Sequence, residues 1–92
     1  MLKIAVFDGG WGGENVADYL ANELNIIEVI RIIDWANAPY HNKTLAEICM
    51  LAENNLASFI NKVDVIVLGG YVVSMALEYL SQRYPKQKFI SV

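Results

Sequence analysis

Four side chains have the chemistry to capture a ligand or move a proton from the positions they hold: Asp8, Asp34, His41 and Cys49. Asp8 and Asp34 each close an apolar run. Two carboxylates on one rim suit a cation, an ammonium group or acid-base work. Each equally suits accepting hydrogen bonds from loop or helix N-terminal amides. His41, the only histidine, follows Pro39-Tyr40 in a loop, where it either meets a ligand, exchanges protons or is simply solvated. Cys49 falls in the middle of an apolar helical stripe, which describes a buried structural thiol rather than a nucleophile with a lowered pKa. One cysteine and one histidine make neither a disulfide nor a zinc set, so no metal is expected.

Glycine marks where these groups gather. Four of the six glycines, Gly9, Gly10, Gly12 and Gly13, follow the first apolar run, and Gly69-Gly70 follow another. Such clusters belong where the backbone turns sharply or where something must approach it without meeting a Cβ. The first cluster resembles a phosphate cradle, but Gly-Gly-Trp-Gly-Gly is out of register with G-x-G-x-x-G and no Walker motif is present. A tight turn with close strand-helix packing accounts for it equally well. Trp11, Trp35, Tyr40 and Tyr71 fall in or beside the same loops, as expected of a surface that packs on itself, on a small molecule or on another subunit.

The positioning elements follow from the hydrophobic period. Leu2–Phe7, Glu28–Ile33, Val63–Leu68 and Lys88–Val92 read as strands, with Ile26 and Ile27 as a possible earlier start for the second. Between the first two, Val16, Ala17, Leu20 and Leu24 share one face of a helix from Glu14 to Asn25. A second helix starts at Thr44, an N-cap with Glu47 completing a capping box, and its expected buried stripe is Leu45, Cys49, Ala52, Leu56 and Phe59. Val73, Ala76, Leu77, Leu80 and Tyr84 mark a third helix that Pro85 closes. Strands alternating with helices predict right-handed crossovers and a three-layer α/β domain. The topology expected is a flavodoxin-like four-stranded parallel sheet in the order 2-1-3-4. Strands 1 and 3 then flank the switch point, and the crevice outside their carboxyl ends is the expected binding site.

The 92 residues suffice for one domain, residues 1–92, with a real core, since 55% of them are hydrophobic. A net charge of −3 without a basic block argues against nucleic acid or a polybasic membrane patch. No apolar run is long enough to span a membrane, and Met1-Leu2-Lys3 leads into a strand rather than a signal peptide. A cytoplasmic protein is expected.

Three segments together resemble the N-terminal part of the cofactor-independent aspartate/glutamate racemase family, of the glutamate racemase type. Phe7-Asp8-Gly9-Gly10-Trp11-Gly12-Gly13 is similar to its F-D-S-G-x-G-G. Asp34 with Pro39-Tyr40-His41-Asn42-Lys43-Thr44 is similar to D-x-x-x-x-P-Y-G-x-K-[ST]. Val67-Leu68-Gly69-Gly70-Tyr71-Val72-Val73-Ser74 falls on V-x-x-C-N-T-A-S. The resemblance implies a site of Asp8, Gly9, Gly10, Pro39, Tyr40, His41, Gly70 and Tyr71 for a small amino or carboxylic acid, and no cofactor.

Departures from the family pattern bear on the chemistry. The position of the proton-transferring cysteine is Gly70, the adjacent substrate-contacting Asn and Thr are Tyr71 and Val72, and the first motif's serine is Gly9. The family draws its second cysteine from another domain. Two-base racemisation needs a donor and an acceptor on opposite faces of the α-carbon, and glycine is neither. The expectation is therefore a racemase-like domain without catalysis that binds a small ligand or self-associates, as a homodimer with rims facing through Trp11, Trp35, Tyr40 and Tyr71. Two alternatives stand beside it. One is a diverged isomerase or lyase using Asp8 and His41, and the other is a flavin or phosphate-ligand domain by analogy of fold.

Overall fold

The apolar runs do form the strands. The computed structural model describes residues 2–8, 18, 22 and 27–91. In it β1 (Leu2–Asp8), β2 (Ile27–Ile33), β3 (Val65–Leu68) and β4 (Lys88–Ser91) make one parallel sheet in the order β2-β1-β3-β4. This is the expected α/β, flavodoxin-like topology. Asp8 pairs with Ile33 and Phe7 with Leu68, so Asp34 and Gly69 leave the sheet at the same edge as Asp8. Backbone bonds extend the ladder across that edge, from Asp34 N–H to the Asp8 carbonyl at 3.4 Å and from Gly69 N–H to the Phe7 carbonyl at 2.8 Å.

Alternation along the strands divides the core in two. Ala5, Phe7, Ile66, Leu68 and Phe89 face the main cluster, joined by Ile48, Cys49, Ala52 and Leu56 of α1 (Leu45–Leu56). Val73, Ala76 and Leu80 complete it from the segment after β3. Ile4, Val6 and Val67 face the other way with Val29 and Val65. The helix expected over 14–25 lies outside the described residues, apart from Asp18 and Asn22, both helical. Asp18 pairs with Arg31 of β2 at 2.5 Å.

The capping box forms as expected. Glu47 N–H donates to Thr44 Oγ1 at 3.2 Å and Thr44 N–H to Glu47 Oε1 at 3.0 Å, so two donors at the helix start are satisfied reciprocally. The buried stripe differs from the expected one at both ends. Leu45, in the first turn, is exposed, Ile48 takes its place, and Phe59 lies beyond the helix. Phe59 N–H and Ile60 N–H both return to the Leu56 carbonyl, and Asn61 then takes φ 62°, a left-handed conformation that asparagine tolerates.

β3 begins at Val65, later than expected, because Val63 and Asp64 form a bend in which the Asp64 side chain takes the Lys3 N–H that a strand carbonyl would otherwise accept. Asp64 N–H bonds the Lys3 carbonyl at 2.9 Å while its carboxylate accepts from Lys3 N–H at 2.7 Å. The third expected helix is split into a 3₁₀ turn, Val73–Ala76, and α2, Leu77–Arg83. The 3₁₀ turn is made by bonds three residues back, Met75 N–H to the Val72 carbonyl at 3.1 Å and Leu77 N–H to the Ser74 carbonyl, while the Ser74 hydroxyl and N–H both donate to the Gly70 carbonyl at 2.7 and 3.0 Å. At the opposite end of the sheet, buried Gln87 accepts from Asn61 N–H at 2.7 Å and donates to the carbonyls of Val63 and Lys88. The sequence shows no pattern that marks Gln87 as a core residue.

Candidate functional site

The carboxyl end of the sheet opens between β1 and β3 into a crevice of about 300 Å³ lined by Asp8, Pro39, Tyr40, His41, Gly70, Tyr71, Val72 and Val73. Three separate chain segments meet there. Asp8 is the last residue of β1 and is buried. Gly70 and Tyr71 enter from the turn between β3 and the 3₁₀ segment. Pro39, Tyr40 and His41 come from the loop after β2, in which the Ala38–Pro39 peptide bond is cis. Six of the eight residues expected at the ligand site thus meet around one opening, and Val72 and Val73 join them. Gly9 and Gly10 lie outside the described residues.

Asp34 does not line the crevice. Its carboxylate accepts from Tyr40 Oη at 2.5 Å, from Asn55 Nδ2 at 3.0 Å, and from the backbone and side-chain amides of Asn37 at 3.0–3.2 Å. Burial pushes this carboxyl up, but the bonds from Tyr40, Asn37 and Asn55 outweigh it and hold the group below its ordinary value. Asp34 is therefore an anionic knot. It ties the loop after β2 to the end of that strand and, through Asn55, to the third turn of α1. Asn55 is itself held by donating to the Leu51 carbonyl at 2.8 Å.

Tyr40 belongs to this knot more than to the surface. Only 3% exposed, it packs edge-on against Phe7 with ring centroids 6.3 Å apart. Burial, and then Asp34, raise its phenol pKa, so it stays a protonated donor. Its expected part in an exposed interface is corrected accordingly, because its hydroxyl and ring are committed inward. Trp35 and Tyr71 are 62% and 87% exposed, and Trp11 lies outside the described residues.

The crevice wall thus has a rigid support and a solvent-facing lip. His41 is exposed beside Tyr40, in loop geometry closed by Lys43 N–H on the Tyr40 carbonyl at 3.0 Å. Cys49 is buried, and burial followed by the nearby Glu53 charge pushes its thiol up, the opposite of an activated nucleophile. Among the described residues no three His, Cys, Asp or Glu side chains gather as metal ligands, and no helix is long and apolar enough to cross a membrane.

A second polar cluster escaped the sequence. Glu53 on the outer side of α1 accepts from Tyr79 Oη at 2.6 Å, from Tyr84 Oη, and from Arg83 Nε at 2.5 Å. Those donors pull its carboxyl down to about 2. They lie 26 to 31 residues away, a separation that no helical period connects.

No protein-family model matches the sequence, and no curated protein does. Among solved structures the chain is similar to the crystal structure of ABC transporter system solute-binding proteins from Aeropyrum pernix K1. The two share 26% identity with a TM-score of 0.63 over 99% of this chain, which spans 24% of that one, about a quarter of its length. The likeness agrees with the open α/β topology described above.

Proposed function

We propose that this chain is a racemase-like single domain that binds a small amino or carboxylic acid in the crevice without racemising it. The observation that carries this reading is the convergence of Asp8, Pro39, Tyr40, His41, Gly70 and Tyr71 on one opening at the switch point. Asp8 suits an ammonium group, and the apolar Val72, Val73 and Pro39 suit a short carbon chain. Gly70 carries no atom that exchanges a proton with an α-carbon. The similarity to a solute-binding protein also favours binding over turnover. The protein works in the cytoplasm without a cofactor, and it self-associates.

Calorimetric titration with L- and D-aspartate, L- and D-glutamate and succinate tests the ligand. One of these is expected to bind at millimolar concentration or tighter, and Asp8→Asn to weaken an amino acid at least tenfold. No heat from any of the five at 10 mM, roughly the weak limit of specific small-ligand binding, would overturn the reading.

The presence of Asp8 and His41 on the same crevice supports a second reading, a diverged isomerase or lyase using both as acid-base groups. Turnover of any of the five compounds, abolished by Asp8→Asn and by His41→Ala in folded protein, would select it.

A further inference from the structure

Among the described residues the crevice lining carries the carboxylate of Asp8 and no lysine or arginine. Residues 9–26, which follow Asp8 in the chain, contain no lysine, arginine or histidine either. The seven lysines and arginines of the chain are placed elsewhere. Arg31 pairs with Asp18 and Arg83 with Glu53, while Lys3, near the start of β1, lies 3.9 Å from Glu28. Lys62, Lys86 and Lys88 precede or begin β3 and β4, at the opposite end of the parallel sheet. Lys43 shares the loop of His41 but is not part of the lining.

The walls are less polar than their residue types suggest. The Tyr40 hydroxyl is committed to Asp34 at 2.5 Å, so Tyr40 offers the crevice its ring, beside Pro39, Val72 and Val73. His41 is then the lining side chain with a ring N–H to give to a ligand carboxylate, and Tyr71, 87% exposed, stands at the lip.

From this distribution we infer that the crevice selects an α-amino acid of no net charge with a short aliphatic side chain, and discriminates against the dicarboxylates aspartate, glutamate and succinate. The inference rests on the reading of the crevice as a small amino or carboxylic acid site and narrows it. Each charge of such a zwitterion meets a suitable group, the ammonium at Asp8 and the carboxylate at His41. A second carboxylate meets only the apolar walls, where an unpaired charge is costly, and it repels Asp8 across a small opening. An aliphatic side chain instead gains by covering Val72, Val73 and Pro39. The volume of about 300 Å³ is at the lower end for small-ligand sites, which limits that chain to a few carbons.

Calorimetric titration with leucine, asparagine and aspartate, each as the L and the D form, tests the selectivity at constant shape, because the three side chains branch alike and have the same number of non-hydrogen atoms. Leucine is expected to bind roughly tenfold or more tightly than aspartate, with asparagine between them. Tyr71→Arg places a cation at the exposed lip and is expected to cut the leucine-over-aspartate ratio by roughly fivefold or more. His41→Ala is expected to weaken all three, and unchanged circular dichroism and melting temperature identify variants that remain folded. Aspartate bound as tightly as leucine, or a ratio indifferent to Tyr71→Arg, overturns the selectivity and leaves the crevice standing as a ligand site. No heat from any of these compounds or from glutamate and succinate at about 10 mM overturns the selectivity and that reading together.

Discussion

Asp8 and Asp34 end neighbouring parallel strands one residue apart in register, and the two carboxylates meet different surroundings. Asp8 lines the crevice between β1 and β3. Asp34, at the outer strand β2, is enclosed by its own loop and by α1 and accepts from Tyr40, Asn37 and Asn55. The difference lies in what the described residues place beside each group. Asp8 faces the crevice between β1 and β3, whereas the loop leaving β2 folds back over its own strand end and brings Tyr40 and Asn37 onto Asp34.

The comparison breaks most easily at the knot. Asp34→Ala leaves Tyr40, Asn37 and Asn55 without their shared acceptor and is expected to cost about 3 kcal/mol in urea denaturation, since bonds to a charged group contribute roughly 1.5–3 kcal/mol each and some donors find water. Asp8→Asn, which keeps the shape, is expected to cost less stability and more ligand affinity. If the order of the two stability losses is reversed, Asp8 is the structural residue and the crevice assignment weakens.

A smaller effect sharpens the knot itself. Tyr40→Phe removes the 2.5 Å bond while keeping the ring on Phe7, and a loss of about 2 kcal/mol is expected. The accompanying pH dependence has a definite sign. Asp34 is held below its ordinary value of 3.8 in the folded protein, so its contribution is complete above about that pH and fades as pH falls below it. Tyr40→Phe should flatten that acid limb, and an unchanged slope would show that the phenol does not hold the carboxylate.

The smallest effect expected is at Glu53, a carboxylate also held by three residues but in a more exposed setting. Its folded pKa of about 2 lies below its ordinary 4.5, so the stability it contributes is full above about pH 4.5 and is lost as pH falls toward 2. With solvent screening the amount is about 2 kcal/mol at most. Denaturation measured in 0.1 and 1 M salt should show Glu53→Gln removing this limb and the loss shrinking at high salt, while the Asp34 limb persists. Equal salt sensitivity at both would place the two carboxylates in similar surroundings.

Much of this arrangement was legible in the residues. Continuous apolar runs ending at Asp8, Asp34 and Gly69 mark buried parallel strands, and Thr44 with Glu47 marks a helix start, because these signals depend on neighbours within a few positions. The same runs and their spacing put Asp8, Pro39 to His41 and Gly70 to Tyr71 at one end of the sheet. Gln87 in the core and the Glu53 cluster were not legible, since each depends on partners brought together from distant chain, and the split of the third helix after Ala76 has no signal in the apolar period.

What the sequence alone determined is the order of elements, the parallel sheet and the end of it at which loops carrying aspartate, glycine and aromatics gather. Periodicity and strand-end chemistry are local, and the handedness of crossovers converts them into a topology. Only the tertiary structure decided which carboxylate faces the crevice, that Tyr40 turns inward to Asp34 while Tyr71 stays in solvent, and that Tyr79, Arg83 and Tyr84 converge on Glu53 from the other helix. Those outcomes depend on which segments cover each strand end and on the register of one helix against another. Burial and hydrogen bonding between distant residues set that register, and no local pattern encodes it.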